Sequence, residues 1–416
     1  MSTQAQGRKG GTVSVLDIGT SKVCCMIAHR AANGTGIEVI GVGHQRSEGV
    51  RGGAIIDLAK AEATVRRVVD TAEARAGVAV GSLIVNASSE AIRSHTERAT
   101  LALNGSEVAA SHVDRALGEA GRSGRDRHDR ILHALPVGYA IDGTDEIEDP
   151  TGMVGDELTA TCHFVSAPNG PLRNLERAVN RAHLEVERIV ATPYASALAA
   201  VAKDESEMGC VVLDMGAGTT SWAIMSGGHF VHGDVIAIGG QHVTTDLARG
   251  LSIGIAEAER LKVLEANVTR LMPGSEFVSV APLAMDGSAA LATIPREHIT
   301  QIAAARIEET FELVRDRIRR SGLGKQVDRR VILTGGAAQL SGVSDLARRI
   351  LARNVRVGRP VGVRGLLAQH KSPAFSTAVG LAMFPRVADR ERHVRSHFAL
   401  PTAGRFARLG RWFRDF

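Results

Sequence analysis

The sequence predicts a globular α/β protein built on an internal duplication, as its composition, a repeated strand-turn-strand unit and its lack of long apolar runs indicate. Apolar residues make up 44% of the chain and charged residues 23%, a balance typical of globular α/β proteins. A length of 416 residues suits about two to three domains. No run approaches the ~20 apolar residues of a membrane span. Residues 1–11 lack the apolar core of a signal peptide and are expected to be disordered, so we expect neither export nor insertion.

The repeat comprises VSVLDIGTSKVCCMIA at 13–28 and CVVLDMGAGTTSWAIM at 210–225. In each segment an apolar run ends at Asp-x-Gly, passes through small hydroxyl residues and re-enters an apolar run, which predicts a β-hairpin with a tight turn. Glycines let backbone N–H groups approach phosphate oxygens, and the hydroxyls add further donors. We therefore expect the two hairpins to clamp one nucleotide through Gly19, Thr20, Ser21, Gly216, Gly218, Thr219 and Thr220.

Charged side chains in the same hairpins predict a cation site beside the phosphates. Lys22 offers a point charge to the β- or γ-phosphate. Asp17 and Asp214 hold equivalent positions, and carboxylates repel phosphate, so their expected role is to hold a hydrated Mg²⁺ between them. One such hairpin alone is ordinary turn chemistry, and it is the duplication that favours a nucleotide site.

Three further segments complete the pattern. RRVILTGGAAQLSGV at 329–343 predicts a buried strand, the turn Gly335-Gly336 and then a helix, where an adenosine can approach the backbone. ATPYASALAAVA at 191–202 predicts a helix with Thr192 as its N-cap and Pro193 as its first residue. SPAFSTAVGLAMF at 372–384 predicts a second helix of small residues.

These elements, in the order hairpin, helix, hairpin, Gly-Gly turn and helix, resemble the superfamily of actin, the heat-shock chaperones and the sugar kinases. Within it the chain is similar to the FtsA family of bacterial cell division proteins, over about 12–385 and the tail. The resemblance implies an α/β, actin-like two-lobed fold of duplicated ribonuclease H-like domains, with a 1C-type inserted subdomain and a C-terminal amphipathic helix. It also implies ATP and Mg²⁺ between the lobes, with at most weak ATP hydrolysis.

The resemblance also implies domain boundaries. The inserted subdomain, 84–162, contains a helix-like HVDRALGEAG and a strand-like ILHALPVGYAI, which predict an α+β unit. The other expected domains are lobe 1 (12–83, 163–197 and 369–385), the lobe 2 core (198–239 and 311–368), the lobe 2 outer subdomain (240–310), a linker (386–404) and the terminal helix (405–416).

Further nucleotide contacts follow from the resemblance. Gly239-Gly240 matches a turn that approaches the phosphates, and Glu259 and Lys262, one helical turn apart, match the pair that flanks the ribose. The second hairpin departs from the family, because Ala217 and Ser221 stand where a Gly and an Asp are usual. Ala217 is expected to need a positive φ, at a cost of about 1 kcal/mol. The first helix begins TPYAS and lacks the Glu that orients water in some superfamily members, which favours binding over hydrolysis.

The tail concentrates charge and aromatic residues. The segment 386–416 has eight Arg against two Asp and one Glu, so its net charge of +5 equals that of the whole chain, which argues against a nucleic-acid-binding fold. Residues 386–404 predict a mobile linker. On a helix over 405–416 the apolar side chains share an arc of about 120° opposite most of the arginines, which predicts a helix lying on anionic lipid. Its residues are Arg405, Phe406, Arg408, Leu409, Arg411, Trp412, Phe413, Arg414 and Phe416; docking on the protein body or on a partner is the alternative.

The resemblance implies a peripheral protein on the cytoplasmic face of the inner membrane at the division site. Its implied partners are the FtsZ C-terminal peptide, other copies of itself in protofilaments, anionic lipid and later division proteins. Arg306 matches a basic position of the FtsZ-peptide site. Two alternatives remain: a scaffold similar to the pilus-assembly protein PilM, or a sugar or acetate kinase, which requires a carboxylate base that we do not find in the sequence.

Overall fold

The computed structural model describes residues 11–30, 36–123, 129–269, 276–281, 292–325, 327 and 330–391. Contacts divide the chain into two compact units. The first unit lies within 1–92 and 170–384, and the second within 93–169 and 385–416. The terminal helix predicted at 405–416 and the disordered segment predicted at 1–11, apart from Gly11, lie outside the described residues.

The described residues form both strands and α-helices. The strands are β1 (Thr12–Ile18), β2 (Lys22–Arg30), β3 (Ile37–Arg46), β4 (Val50–Arg51), β5 (Ala54–Ile55), β6 (Ser82–Ala87), β7 (Arg93–Ala102), β8 (Asp129–Ile141), β9 (Thr144–Ile147), β10 (Glu157–Pro168), β11 (Glu185–Ala191), β12 (Cys210–Met215), β13 (Thr220–Ser226), β14 (His229–Ile236), β15 (Phe277–Val280), β16 (Ala292–Pro295), β17 (Arg330–Thr334), β18 (Asn354–Val357) and β19 (Val363–Arg364). The helices are α1 (Leu58–Ala76), α2 (Ala110–Ser123), α3 (Asn169–Arg181), α4 (Thr192–Ala200), α5 (Lys203–Met208), α6 (Gly240–Gly250), α7 (Ile255–Leu264), α8 (Arg296–Arg320), α9 (Val343–Leu351) and α10 (Ser376–Met383).

The first unit contains two sheets with one topology. Their orders are β11-β6-β1-β2-β3-β19 and β14-β13-β12-β17-β18. Each sheet contains three consecutive antiparallel strands, followed in the chain by two strands that run parallel to the first. Thus β1 is antiparallel to β2 and parallel to β6, and β12 is antiparallel to β13 and parallel to β17. The predicted hairpins are therefore confirmed as β1-β2 and β12-β13. The duplication extends beyond the hairpins to the whole five-strand core of each sheet.

The central strands of both sheets are buried on both faces. β12 is buried along its whole length, and Trp222 on β13 is 1% exposed. α6, α8 and α9 supply much of the apolar core that packs against the second sheet, including Val243, Ile307, Phe311 and Leu346. Burial of this apolar surface fixes the strand register, because a slip of one residue would expose the core face.

The two predicted small-residue helices are α4 and α10, and their starts differ from the prediction. The N-cap of α4 is Ala191, so the prediction of Thr192 as N-cap is wrong. Thr192 instead donates to the Ala87 carbonyl oxygen at 2.8 Å, which ties the helix to β6. A Cβ on Gly380 of α10 would overlap the Ala195 carbonyl oxygen of α4. Glycine therefore permits the close crossing of the two helices.

The second unit packs α2 against the sheet β7-β10-β8-β9. An α+β unit is thus confirmed in this region, with α2 and β8 at the predicted helix and strand. A short turn at 388–391 also belongs to this unit: Nδ1 of His133 on β8 and Oε1 of Glu391 lie 2.9 Å apart, and both side chains are buried. The predicted mobile linker is therefore ordered at its start, because Glu391 has a buried polar partner. Among the described residues no helix has the length and hydropathy to cross a membrane.

All four cysteines, Cys24, Cys25, Cys162 and Cys210, are free and buried. Burial raises the pKa of the Cys24 and Cys210 thiols to about 12. Desolvation likewise raises the pKa of Cys25 and Cys162. Since thiolates are the reactive form, these side chains are structural residues of the core.

Candidate nucleotide-binding site

The turns of the two hairpins have the same backbone geometry. The amide of Gly19 donates to the Lys22 carbonyl oxygen at 2.9 Å, and the amide of Gly216 donates to the Thr219 carbonyl oxygen at 2.9 Å. A Cβ at either glycine would lie 2.9 Å from the same carbonyl oxygen that its amide contacts. Both turns therefore require glycine at this position for the same steric reason.

The turns face each other across the first unit. A Cβ on Gly218 would overlap Oγ1 of Thr20 and lie 3.0 Å from the backbone of Gly52. The amide of Gly53 donates to the same Thr20 oxygen at 3.3 Å, and the hydroxyls of Ser88 and Thr219 are 2.9 Å apart. Glycine at 218 allows the loops to come this close.

Asp17 and Asp214 are the last residues but one of the equivalent strands β1 and β12, and they are 7% and 8% exposed. Burial, opposed by the charge of Lys22 and helped by the charge of Asp214, raises the pKa of Asp17 to about 6. Burial also raises the pKa of Asp214, which is opposed by hydrogen bonds from Ser196 and Thr377 and by the charge of Lys22. Two desolvated carboxylates that repel each other form a site in which a cation is favourable.

The second hairpin also contains a buried polar group without a partner. Ser221 pairs with Asp214 in the β12-β13 register, so both side chains lie on one face of the sheet. Its hydroxyl is buried and has no hydrogen-bond partner among the described residues. Oxygen donors of this kind suit a hydrated Mg²⁺, which keeps several of its waters. The residues present therefore fit the predicted cation.

The Gly239-Gly240 turn packs against the second hairpin. The amide of Gly240 donates to the Gly216 carbonyl oxygen at 2.9 Å. A Cβ on Gly239 would lie 2.6 Å from the carbonyl oxygens of Gly216 and Ala217. Ala217 has no positive φ, so the strain predicted there is absent, because the turn accommodates it in ordinary backbone geometry.

Glu259 and Lys262 on α7 form the predicted pair, with Nζ of Lys262 2.6 Å from Oε2 of Glu259. Thr244 of α6 donates to the same carboxylate oxygen at 2.5 Å and accepts from Lys262 at 2.9 Å. Lys262 also donates to the carbonyl oxygen of Gly240 at 3.3 Å. These contacts bring the pair next to the Gly-Gly turn.

Gly335 and Gly336 follow β17, but a short turn of 3-10 helix at Ala337–Gln339 precedes α9, so the helix starts later than predicted. Gly335 has φ +87, and a Cβ there would overlap Oδ1 of Asp214. Gly336 is open, since a Cβ would first meet Ala374 at 3.9 Å. Position 335 therefore requires glycine, because it lies against the Asp214 carboxylate, whereas Gly336 beside it is accessible.

Lys22, for which the sequence predicts a phosphate contact, is held by contacts within the protein. Its ammonium donates to the Ala374 carbonyl oxygen and lies 3.6 Å from the centroid of the Phe375 ring. Both contacts connect β2 to the segment that precedes α10. Ser21 contributes its carbonyl oxygen to the amide of Ser47 at 2.9 Å, and Thr220 donates to the Ile238 carbonyl oxygen at 2.8 Å.

Four hydroxyl residues that contact the predicted site were not predicted from the sequence. Ser196 and Thr244 bond groups 18 and 15 positions away in the chain, and Thr377 and Ser88 bond groups 163 and 131 positions away. Hydroxyl residues within otherwise apolar, small-residue helices are the available signal for Ser196 and Thr377. Such residues in a buried helix need a partner, and here the partner is Asp214.

Comparison with known proteins agrees with this architecture. The family model described as "Cell division protein FtsA" matches residues 211–380, and that described as "SHS2 domain inserted in FTSA" matches residues 89–166. The cell division protein FtsA of Rhizobium meliloti (strain 1021) is 48% identical over 98% of this chain and 95% of its own length. This chain belongs to the FtsA family of cell division proteins. The FtsA of Pseudomonas aeruginosa is 32% identical over 91% of this chain and 90% of its own length.

Solved structures confirm the actin-like fold. A PilM-PilN type IV pilus biogenesis complex matches with a TM-score of 0.64 and 16% identity, covering 89% of this chain and 98% of that one. MreB5 of Spiroplasma citri bound to ADP matches with a TM-score of 0.54 and 13% identity, covering 91% and 97%. The MamK double helical filament matches with a TM-score of 0.51 and 14% identity, covering 90% and 98%. At these identities the likeness concerns the fold alone.

Proposed function

We propose that this FtsA-family chain is an ATP-binding scaffold of cell division. In this proposal it polymerises, tethers FtsZ filaments to the cytoplasmic face of the inner membrane and recruits later division proteins. Nucleotide binding is supported by the two equivalent hairpins, which face each other and whose first strands contain the buried carboxylates of Asp17 and Asp214. The ADP-bound MreB5 and the MamK filament support nucleotide binding and self-assembly by likeness of fold. The domain boundaries predicted from the sequence are part of the proposal.

The residues of the site have distinct roles in this proposal. The glycine-rich turns present backbone N–H groups and hydroxyls to the phosphates, while Asp17 and Asp214 hold the waters of Mg²⁺. Glu259 and Lys262 receive the ribose, and Gly335-Gly336 allows the adenosine to approach the backbone. Bound Mg²⁺ supplies the positive charge that offsets both carboxylates and phosphates. Because α4 begins with Thr192 and Pro193 rather than a carboxylate, we expect slow hydrolysis.

Membrane attachment rests on the terminal segment. Four arginines near an anionic surface contribute about 1 kcal/mol each, so binding by one helix is reversible. Assembly of several copies would strengthen it through avidity. The test is co-sedimentation of the full chain with vesicles containing anionic lipid, with and without ATP. We expect the full chain to pellet, and a chain truncated after Pro401 and the variant Trp412→Glu to stay in solution.

The matched control for the membrane test is Trp412→Phe, which keeps an aromatic side chain at the same position and should still pellet. Pelleting of the truncated chain would contradict a membrane role for the terminal segment. If the full chain stays in solution at low ionic strength, where attraction to anionic lipid is strongest, the tethering function is wrong.

The FtsZ-peptide site is proposed within 240–310, and its predicted basic residue is already paired. Arg306 on α8 contacts Asp246 at 2.6 Å and also Glu309. A carboxylate of the acidic FtsZ peptide must therefore replace one of these partners. In a fluorescence anisotropy titration with that peptide, Arg306→Ala should lose affinity severalfold, whereas Arg320→Ala, at the exposed end of α8, should not. Equal affinity for both variants would exclude Arg306 from the site.

A further inference from the structure

Asp214 is held by hydroxyls from two different helices. Ser196 of α4 donates to its Oδ2, and Thr377 of α10 donates to the same oxygen at 2.8 Å. The two hydroxyl oxygens lie 3.0 Å apart. All three side chains are buried, at 1%, 7% and 8% exposure for Ser196, Thr377 and Asp214. Hydrogen bonds in such a buried environment are strong, so they hold the carboxyl group in one orientation.

The backbone holds these hydroxyls in place. Gly380 packs on the Ala195 carbonyl oxygen, so α4 and α10 cross with no space between their backbones. The residue before Thr377 is tied to the sheet as well, because Ser376 and Thr334 approach to 2.6 Å between hydroxyl oxygens. Thr334 on β17 is the register partner of Asp214 on β12. The start of α10 is therefore bonded to two adjacent strands at the end where the carboxylate lies.

The other half of the duplication lacks this arrangement. Asp17 is the equivalent of Asp214, yet among the described residues no side chain donates a hydrogen bond to its carboxylate, and its pKa is governed by burial and by the charges of Lys22 and Asp214. The two carboxylates thus differ in a way that the repeat alone does not predict. Asp214 is oriented before any cation arrives, with Oδ1 left beside the Cβ-free Gly335.

We propose that Ser196 and Thr377 are positioning residues that make nucleotide binding depend on Mg²⁺ by holding Asp214 through Oδ2. This inference rests on the nucleotide site proposed above. The two hydroxyls keep the Asp214 side chain in one rotamer and leave Oδ1 available to the waters of the cation. Without them the carboxylate regains rotational freedom, which must be lost again on binding. Nucleotide contacts made by the hairpin backbones do not involve this carboxylate, so affinity without Mg²⁺ should not change.

The test is equilibrium dialysis of the full chain with radiolabelled ADP, with Mg²⁺ or with EDTA. Thr377→Val keeps the shape of the side chain and removes the hydroxyl, whereas Thr377→Ser keeps the hydroxyl and removes the methyl group. Mg²⁺ should raise the affinity for ADP less in Thr377→Val than in the wild type, and the two increases should differ by about tenfold. A difference of this size is expected for the loss of one charge-assisted hydrogen bond. Thr377→Ser should stay within about twofold of the wild type, since its hydroxyl remains.

Ser196→Ala provides a second, independent variant should Thr377→Val fail to fold, and it should show the same loss. A full Mg²⁺ effect in a folded variant without the hydroxyl would overturn the inference. So would an equal loss in Thr377→Ser, because that result would point to packing of the methyl group. If Mg²⁺ does not change the affinity of the wild type for ADP, the proposed cation site is wrong. If Mg²⁺ raises the affinity of the wild type and of the variant equally, only the role of the hydroxyls is wrong.

Discussion

In the nucleotide-free protein, Asp17→Asn should be more stable than the wild type, and this difference should grow as the pH rises. Burial and the neighbouring Asp214 raise the pKa of Asp17 from an ordinary value near 3.8 to about 6. The folded state therefore favours the protonated carboxyl, and its stability falls as the pH rises from about 4 to above 6. A pKa difference of this size corresponds to about 3 kcal/mol of unfolding free energy at neutral pH. The asparagine side chain does not ionise, so the variant escapes this loss.

The assay is urea unfolding of the full chain in EDTA at about pH 4.5 and about pH 7.5. From the same pKa values, the difference in unfolding free energy between variant and wild type should grow by about 2 kcal/mol between these conditions. Asp145→Asn is the matched control, because Asp145 is exposed. Mg²⁺ with ADP should remove the advantage of Asp17→Asn. The reasoning is refuted if Asp17→Asn and the wild type show the same pH dependence.

Three further predictions concern other contacts, two of them with a control variant. Gly335→Ala, at φ +87 and against a carboxylate, should weaken ADP binding in a dialysis assay, whereas Gly170→Ala, with open space beside it and outside the proposed site, should not; similar affinities would contradict the site geometry. Gly380→Ala should destabilise the fold by about 1–3 kcal/mol through overpacking, while Gly170→Ala, also helical but open, should be neutral or stabilising in urea unfolding. Glu391→Ala should speed hydrogen exchange of the backbone amides at 386–391, and unchanged exchange would show that its buried contact does not hold this segment.

The hairpins could be predicted from the sequence because their signal is local and occurs twice. Each needs a β-rich run, an Asp-x-Gly turn and a second run, and the repeat distinguishes this design from ordinary turns. The glycines at 19 and 216 follow from one backbone bond that both turns make. The order of the strands in each sheet depends on pairing between distant segments, which the periodicity of the sequence does not predict. It could be predicted only from the resemblance to the family.

The contacts of the carboxylates could not be predicted in the same way. Asp214 accepts from Ser196 and Thr377, which lie 18 and 163 positions away in the chain. A hydroxyl residue in an apolar helix does not by itself reveal its partner, because Ser and Thr also occur in helices with a bond to their own backbone. The N-cap of α4 was mispredicted for a related reason: the hydroxyl of Thr192 bonds Ala87 on a neighbouring strand rather than its own helix.

The contacts of Lys22 within the protein could not be predicted from its charge. The phosphate contact of this lysine stays a prediction, while its ammonium lies over the Phe375 ring and bonds a backbone carbonyl. Aromatic faces and carbonyl oxygens attract a cation as phosphate does. Which of them it meets depends on the segment before α10, more than three hundred residues away in the sequence.

The most direct test of the nucleotide site is isothermal titration of the full chain with ATP in the presence of Mg²⁺, repeated with Gly218→Ala. A methyl group at this position would overlap Thr20, so it should separate the two hairpins. We predict saturable binding at one site per chain for the wild type and a loss of affinity of at least tenfold, or about 1.4 kcal/mol, for the variant. Saturable binding of equal strength in both proteins would contradict a nucleotide clamped between the hairpins, as would the absence of binding to the wild type.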